Sequence, residues 1–178
     1  MPSVAVVILA GGLSMRMGRD KAGLRIRGRP LLAWVRAAAR ATGWPVCVIR
    51  RDLVPRCGPL GGVWTAFQRS RAHRLVFLSC DMPFVSPELI RAMGERRGHA
   101  TFTHTAEGAG FPFALERTCL PLVGQALAEK RFALQAFAQR VEARSLRLPR
   151  HRQTELHNLN TPADFARANT LARLVTAE

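Results

Sequence analysis

The sequence contains no tyrosine, only four cysteines and no long run of apolar residues. The cysteines stand at positions 47, 57, 80 and 119, so they form no Cys-x-x-Cys pair, and neither a structural zinc site nor a disulfide scaffold is predicted. The apolar run at residues 4–10 is followed at once by Gly11 and Gly12, which argues against a membrane span and against a signal peptide. We therefore expect a cytoplasmic protein with free thiols and no membrane partner.

Acidic residues are scarce beside basic ones, with 12 against 27 and a formal net charge of +15. Such a charge attracts polyanions, among them nucleic acids, anionic lipids and phosphorylated small molecules. Only Lys21 and Lys130 are lysines, and no run of five like charges occurs, so we read the charge as an arginine-rich surface. Aromatic residues sit in apolar company and offer no stacking platform for bases. No nucleic-acid partner is expected, although the net charge keeps a nucleic-acid-binding module as an alternative.

The length and the 48% of hydrophobic side chains fit one domain over residues 1–178. Short apolar runs bounded by glycine or polar residues predict strands at 4–10, 45–49, 75–79, 100–103, 113–116 and 145–148. Helical spacing, with Ser86 and Thr161 as caps, predicts helices at 31–41, 61–70, 87–97, 120–128, 132–141 and 162–175. A glycine-rich turn at 107–110 is predicted between two strands. This alternation predicts an open α/β sheet with helices on both faces.

Two loops follow predicted strands and are candidates for a ligand site, because ligands of such sheets bind outside the carboxyl ends of the strands. In the first, residues 11–21, glycines would let the backbone approach a phosphate, while Arg16 and Lys21 supply positive charge. In the second, residues 81–83, Asp81 supplies a carboxylate. The first loop matches neither the Walker A pattern nor the dinucleotide fingerprint. A simple tight turn remains the alternative for each loop.

Four segments carry a specific order of motifs. Residues 9–21 read Leu-Ala-Gly-Gly-x-Ser-x-Arg-Met-Gly-x-Asp-Lys, and residues 58–62 read Gly-Pro-Leu-Gly-Gly. Cys-Asp-Met-Pro follows at 80–83, and Asn-Leu-Asn-Thr-Pro at 158–162. In this order the motifs resemble the molybdenum cofactor guanylyltransferase family and its wider group of nucleotidyltransferases. The resemblance runs from the first strand to the last helix.

The resemblance implies a fold and a reaction. The fold is a Rossmann-like nucleotidyltransferase three-layer sandwich with a mostly parallel sheet. The reaction attaches GMP from GTP to a molybdopterin-type molybdenum cofactor and releases pyrophosphate with Mg²⁺, and transient contact with proteins that make or accept the cofactor is expected. A CTP-dependent or other small-molecule nucleotidyltransferase, and a non-catalytic paralogue that binds nucleotide or cofactor, are the alternatives.

The resemblance also implies roles for individual residues. The catalytic residues are Arg16, Lys21 and Asp81, of which Asp81 is also the Mg²⁺ ligand. The nucleotide-binding residues are Leu9, Ala10, Gly11, Gly12, Ser14, Gly18, Lys21, Asp52 and Asp81. Asn158 and Asn160 are candidate acceptor-binding residues, with helix capping as the alternative reading.

The chain is shorter than the family pattern by one β-α unit ahead of the Gly-Pro-Leu motif. Either the second or the third strand of the family is lost, and we favour loss of the second, because Asp52 then stands where a family aspartate recognises the nucleotide. Guanine presents two neighbouring donors that a carboxylate accepts as a pair. The asparagine that the family carries after its second strand has no counterpart here, so base selectivity stays open. The loss should leave residues 45–49 at a sheet edge, through which we expect a homodimer.

Overall fold

The structure, a computed structural model, describes residues 3–11 and 24–175. The strands are β1 Val4–Leu9, β2 Arg25–Ile26, β3 Arg29–Pro30, β4 Val46–Ile49, β5 Arg74–Ser79, β6 Ala100–Thr105, β7 Gly108–Glu116 and β8 Arg144–Leu146. The α-helices are α1 Leu31–Arg40, α2 Gly58–Arg69, α3 Pro87–Glu95, α4 Leu120–Ala128, α5 Leu134–Arg140 and α6 Pro162–Val175. Two 3₁₀ segments, Arg117–Cys119 and Arg150–Leu156, complete the described elements. No helix among them is long and apolar enough to cross a membrane.

Six strands form the main sheet in the order β4-β1-β5-β7-β6-β8. The pairs β4–β1, β1–β5 and β6–β8 are parallel, and the two pairs made by β7 are antiparallel. β1 and β5 are interior strands and are buried almost throughout, as their β-branched and apolar sequences predict. Phenylalanine rings stack across β5, β7 and β6, with centroids 4.9 Å apart for Phe77 and Phe113 and 4.7 Å apart for Phe102 and Phe113.

The helices cover the sheet in pairs. α2 packs against α4 and β1, and α1 packs against α3 and β1. Phe67 of α2 meets Phe77 of β5 edge to face, with ring centroids 6.0 Å apart, so α2 lies over the phenylalanine stack. The predicted layered α/β sandwich is confirmed.

A second, smaller core lies beside the main one. Its fully buried members are Ile26, Leu31, Leu159 and Ala168, and Phe84 and other apolar residues pack around them. It joins the β2–β3 hairpin to α6 and to the segment ahead of α6. The sequence does not predict this hairpin, because Ile26 is flanked by arginines and shows no strand periodicity. Burial of Ile26 in this small core is what stabilises the hairpin.

Most predicted elements are confirmed to within a few residues, and three of the differences have a clear physical cause. α2 begins at Gly58 and not at Gly61, because Pro59 sits in its first turn, where a missing N–H costs nothing. Gly108 and Gly110 belong to β7, since cross-strand pairing with β6 overrides their turn preference. β8 covers 144–146 where 145–148 was predicted, because its pairing with β6 ends at Leu146.

β4 is an edge strand, as the shortened sequence predicts. Within the described residues it pairs with β1 alone. The N–H groups of Val6 and Ala10 donate to the carbonyls of Pro45 and Ile49, both at 2.8 Å. Pairing groups alternate along a strand, so Val46 and Val48 direct their backbone groups away from β1.

We predict that these outward groups pair with β4 of a second copy across a two-fold axis. The mass in solution should correspond to two chains at about 100 µM and fall toward one chain at about 1 µM. Cys47 is exposed, so Cys47→Lys should keep the fold and favour the single chain by placing like charges on the paired strands. Gln68→Lys, which adds the same charge at an exposed position of α2, is the control. A wild-type mass of one chain at both concentrations contradicts the prediction.

Candidate active site

The carboxyl ends of β1, β4 and β5 meet at one edge of the sheet. Leu9 is in register with both Ile49 and Ser79. Just beyond the strands, the N–H of Ala10 donates to the Ile49 carbonyl at 2.8 Å, and the N–H of Cys80 donates to the Leu9 carbonyl at 3.1 Å. The segments that follow the three strands therefore leave the sheet side by side.

Gly11 lies against the chain that leaves β4. A methyl group at this position would stand 2.5 Å from the carbonyl oxygen of Arg50, which is closer than carbon and oxygen approach. Only glycine lets the two segments pass here without a shift of backbone. The start of the glycine loop is thereby fixed beside the loop that carries Asp52.

Asp52 rests on the first turns of α2. A methyl group at Gly61 would lie 3.1 Å from Asp52 Oδ2, and one at Gly62 would lie 3.4 Å from Asp52 Oδ1 and 2.9 Å from the side chain of Leu9. The two glycines thus make room for the carboxylate and for Leu9. Burial raises the pKa of Asp52 above its ordinary value of 3.8.

Thr65 holds the loop that carries Asp52. Its hydroxyl accepts a hydrogen bond from the N–H of Leu53 at 2.8 Å and donates to the carbonyl of Gly61 at 2.8 Å. Sequence reasoning missed this residue, because a threonine inside a helix carries no signal of a partner twelve positions earlier. Thr65 is fully buried, so the loop is anchored in the core.

Asp81 follows β5 and is 9% exposed. Its Oδ1 accepts a hydrogen bond from the Ser79 hydroxyl at 2.5 Å, and its backbone carbonyl accepts one from the N–H of Leu159 at 2.9 Å. The second bond places Asn158 and Asn160 beside the Asp81 loop. The described residues contain no group of three or more His, Cys, Asp or Glu side chains that could hold a metal. A carboxylate such as that of Asp81 is a ligand that Mg²⁺ accepts, and substrate phosphates and water are among the usual further ligands of this ion.

Thr161 and Asp164 cap α6. The Asp164 carboxylate accepts hydrogen bonds from the N–H groups of Asn160 and Thr161 at 2.9 and 2.7 Å, and the N–H of Asp164 donates to the Thr161 hydroxyl at 3.2 Å. The bond from the Asn160 backbone, with those from Thr161, lowers the pKa of Asp164. The capping side chains of α6 are thus the pair Thr161 and Asp164.

A cavity of about 520 Å³ opens next to Asn158 and Asn160. Its wall is formed by the β6–β7 turn, the second 3₁₀ segment and α6. Phe84 and Leu156 supply apolar surface, whereas His104 and Arg167 supply polar and cationic groups. Sequence reasoning did not single out these four residues, since they come from separate elements.

The structure brings together the predicted residues Leu9, Ala10, Gly11 and Asp52, and it brings Asp81 to the segment with Asn158 and Asn160. The other predicted residues, Gly12, Ser14, Arg16, Gly18 and Lys21, lie outside the described residues. The described residues stop at Gly11 and resume at Leu24, next to the β2–β3 hairpin.

A sequence model described as the MobA-like NTP transferase domain matches residues 6–144. The chain belongs to this family. It is accordingly a nucleotidyltransferase. A probable molybdenum cofactor guanylyltransferase of Opitutus terrae is 32% identical over 193 residues, which cover 91% of this chain and 93% of that protein. The molybdenum cofactor guanylyltransferase of Xanthomonas euvesicatoria is 30% identical, covering 90% and 92%.

Solved structures share the fold of this family member. Molybdopterin-guanine dinucleotide biosynthesis protein A from Archaeoglobus fulgidus has a TM-score of 0.77 at 20% identity, covering 95% of this chain and 98% of that one. The 2-C-methyl-D-erythritol 4-phosphate cytidylyltransferase of Thermus thermophilus has a TM-score of 0.71 at 18% identity, covering 96% and 99%. Rv0371c of Mycobacterium tuberculosis, in a complex with manganese, has a TM-score of 0.65 at 20% identity, covering 95% and 98%.

The alignment with the Opitutus terrae relative is longer than this chain, with 193 against 178 residues, so that relative contains segments which this chain lacks. The structure has a single strand, β4, and one loop between α1 and α2. Both observations agree with a family member shortened ahead of the Gly-Pro-Leu motif. Which strand of the family β4 represents stays a hypothesis.

The partly buried carboxylate of Asp52 should weaken the fold. A raised pKa means that the folded state binds the proton of Asp52 more tightly than the unfolded state does. The penalty is therefore present above the raised pKa and disappears below the ordinary value of 3.8. We expect Asp52→Asn to unfold at higher urea concentration than the wild type at about pH 7 and at the same concentration at about pH 3.5. If the difference in urea midpoint between Asp52→Asn and the wild type were the same at both pH values, the raised pKa of Asp52 would be contradicted.

Proposed function

We propose that this nucleotidyltransferase transfers GMP from GTP to a molybdopterin-type cofactor and releases pyrophosphate. The observation that carries the proposal is the convergence of three segments at one sheet edge: the start of the glycine loop, the Asp52 loop on α2, and the Asp81 loop beside Asn158 and Asn160. The names of the relatives support the same reaction. A phosphate oxygen of the acceptor forms a bond to the α-phosphorus, and the bond to the bridging oxygen breaks, so that pyrophosphate leaves with the electron pair.

Asp52 is the residue that we assign to base recognition. Guanine offers its N1–H and its exocyclic amine side by side, and the two oxygens of a carboxylate accept both. Cytosine places a ring acceptor beside its amine, so the second oxygen would face a lone pair. Because Asp52 is partly buried against α2, these hydrogen bonds form in surroundings of lowered dielectric constant and gain strength. This geometry favours GTP over the alternative CTP.

The glycine loop is the segment that we assign to the triphosphate. Leu9, Ala10 and Gly11 begin it at the carboxyl end of β1, and the backbone N–H groups that follow them would face phosphate oxygens. Further along the same loop, residues 12–18, including Ser14, would continue this backbone cradle. Arg16 and Lys21 would stabilise the negative charge that collects on the departing pyrophosphate.

Asp81 is the residue that we assign to the metal. Its burial and its hydrogen bond from Ser79 orient a carboxylate at the carboxyl end of β5. A bound Mg²⁺ would neutralise charge on the nucleotide phosphates. The chain contributes the carboxylate, its orientation and its exclusion from bulk water.

The cavity beside Asn158 and Asn160 is the site that we assign to the acceptor. Its volume of about 520 Å³ lies within the usual range for small-molecule pockets. The amides of Asn158 and Asn160 can donate to and accept from a polar ring system, and Arg167 supplies a positive charge for a phosphate. The acceptor would thus lie beside the segment that is hydrogen-bonded to the Asp81 carbonyl.

The proposal is tested by pyrophosphate release from purified protein with Mg²⁺, molybdenum-loaded molybdopterin and each of the four nucleoside triphosphates in turn. We expect release from GTP, and Asp52→Asn should lower the preference for GTP over CTP by about ten- to a hundredfold, the value of a charged hydrogen bond. Wild-type release that is faster with CTP would favour the cytidylyl alternative. Binding of nucleotide without release would favour a non-catalytic paralogue.

Removal of the carboxylate at Asp81 should weaken metal binding and leave the stability of the fold unchanged. Asp81→Asn keeps the size of the side chain and an oxygen that can accept from Ser79, so the thermal midpoint should stay close to that of the wild type. Turnover at limiting Mg²⁺ should fall by about a hundredfold or more. Glu95→Gln, at the exposed end of α3, is the control and should leave turnover unchanged. Near-normal turnover of Asp81→Asn would remove Asp81 from the metal site.

A further inference from the structure

Two segments beside the active site are joined at both of their ends. One runs from Asp81 to Ser86, and the other runs from Glu155 to Leu159. At one end the N–H of Leu159 donates to the carbonyl of Asp81 at 2.9 Å, and at the other the hydroxyl of Ser86 donates to Glu155 Oε2. The residues pair in opposite order, so the segments run antiparallel and these two hydrogen bonds act as rungs. We call this arrangement the ladder.

At the rung between Ser86 and Glu155, the hydroxyl and both carboxylate oxygens are hydrogen-bonded. Arg152 donates through Nε to Glu155 Oε1 at 2.5 Å and through Nη2 to Glu155 Oε2 at 3.1 Å. Ser86 also accepts from Arg152 Nη2 at 3.2 Å and from the N–H of Leu89 at 3.1 Å. The hydroxyl of Ser86 therefore uses its one hydrogen and both lone pairs. Such a network defines a single geometry, because a shift of any member leaves another group unpaired.

Apolar side chains fill the space around the ladder. Leu159 is 2% exposed and packs in the small core with Phe84, and both line the cavity together with Leu156. Glu155 and Arg152 are absent from the cavity wall among the described residues. Within the described residues, Glu155 therefore forms no part of the surface that a ligand in the cavity would touch.

We propose that Glu155 is a positioning residue that sets the affinity for the acceptor. Its rung holds Asn158 and Asn160 in place relative to Asp81, so the wall of the cavity and the carboxylate at β5 move as one body. The rung at Leu159 is a single hydrogen bond, and without the rung at Glu155 the segment can pivot about it. The proposal rests on the proposed function, because it takes Asn158 and Asn160 as ligands of the acceptor.

The first test measures the ladder without any ligand. Amide hydrogen exchange, followed residue by residue in the full chain, should show the N–H of Leu159 exchanging about tenfold faster or more in Glu155→Ala than in the wild type. The amides of β5 should exchange at unchanged rates. Glu155→Gln retains an oxygen that can accept from Ser86, so it should restore most of the protection at Leu159.

The second test measures turnover with GTP, Mg²⁺ and molybdenum-loaded molybdopterin. In Glu155→Ala the KM for the acceptor should rise by about tenfold or more, while the KM for GTP stays within about twofold. Glu155→Gln should lie between Glu155→Ala and the wild type. Glu129→Ala is the matched control, since Glu129 also holds an arginine through two hydrogen bonds, at 2.7 and 3.1 Å from Arg140, and lies outside the cavity wall.

The two tests separate failure of the inference from failure of the proposed function. Unchanged exchange at Leu159, or an equal increase at Leu159 and throughout β5, overturns the role of Glu155. Faster exchange at Leu159 with equal changes in both KM values also overturns it, because the rung would then serve stability alone. Wild type that turns over no triphosphate refutes the proposed function, and the positioning role is then refuted with it even if the exchange result stands.

Discussion

Backbone hydrogen bonds hold β1 between β4 and β5, and every part of the candidate site depends on that pairing. Because the three strands are parallel, their carboxyl ends coincide, and the turns that follow them leave at one edge. The bonds of Ala10 and Cys80 just beyond the strands extend the register into the loops. Residues from distant parts of the chain thereby meet at this edge.

The part of this edge that we assign to the nucleotide lowers the stability of the fold. Burial disfavours the charge on Asp52, as its raised pKa shows, and the site keeps the carboxylate all the same. Two glycines in α2 make room for it, and helix glycines are themselves unfavourable by about 1 kcal/mol each. The Thr65 hydroxyl then holds the Asp52 loop by accepting a hydrogen bond from the N–H of Leu53. A residue that weakens its own fold and occupies an otherwise well-packed place is typical of a functional site.

The segment that carries Asn158 and Asn160 is held in place differently. There the chain relies on a small satellite core and on hydrogen bonds between loops, in place of a central strand. Leu159 connects the small core to the Asp81 loop, since its side chain is buried in that core while its N–H donates to the Asp81 carbonyl. The ladder adds a second connection at Ser86 and Glu155. Loops held in this way by a rigid scaffold are common positions for binding residues.

Local patterns in the sequence determined the elements and the family. The β-branched runs of β1 and β5 are recognisable because both faces of these strands are buried, and Ser86 before a proline marks the start of α3 because the cap is a local hydrogen bond. Contacts between distant residues were decided by the tertiary structure alone. Ile26 forms a strand only because the small core covers it, Thr65 finds a partner in another element, and Ser86 meets Glu155 across 69 positions. No periodicity encodes such pairs, since each depends on how the sheet and its helices bring separate segments together.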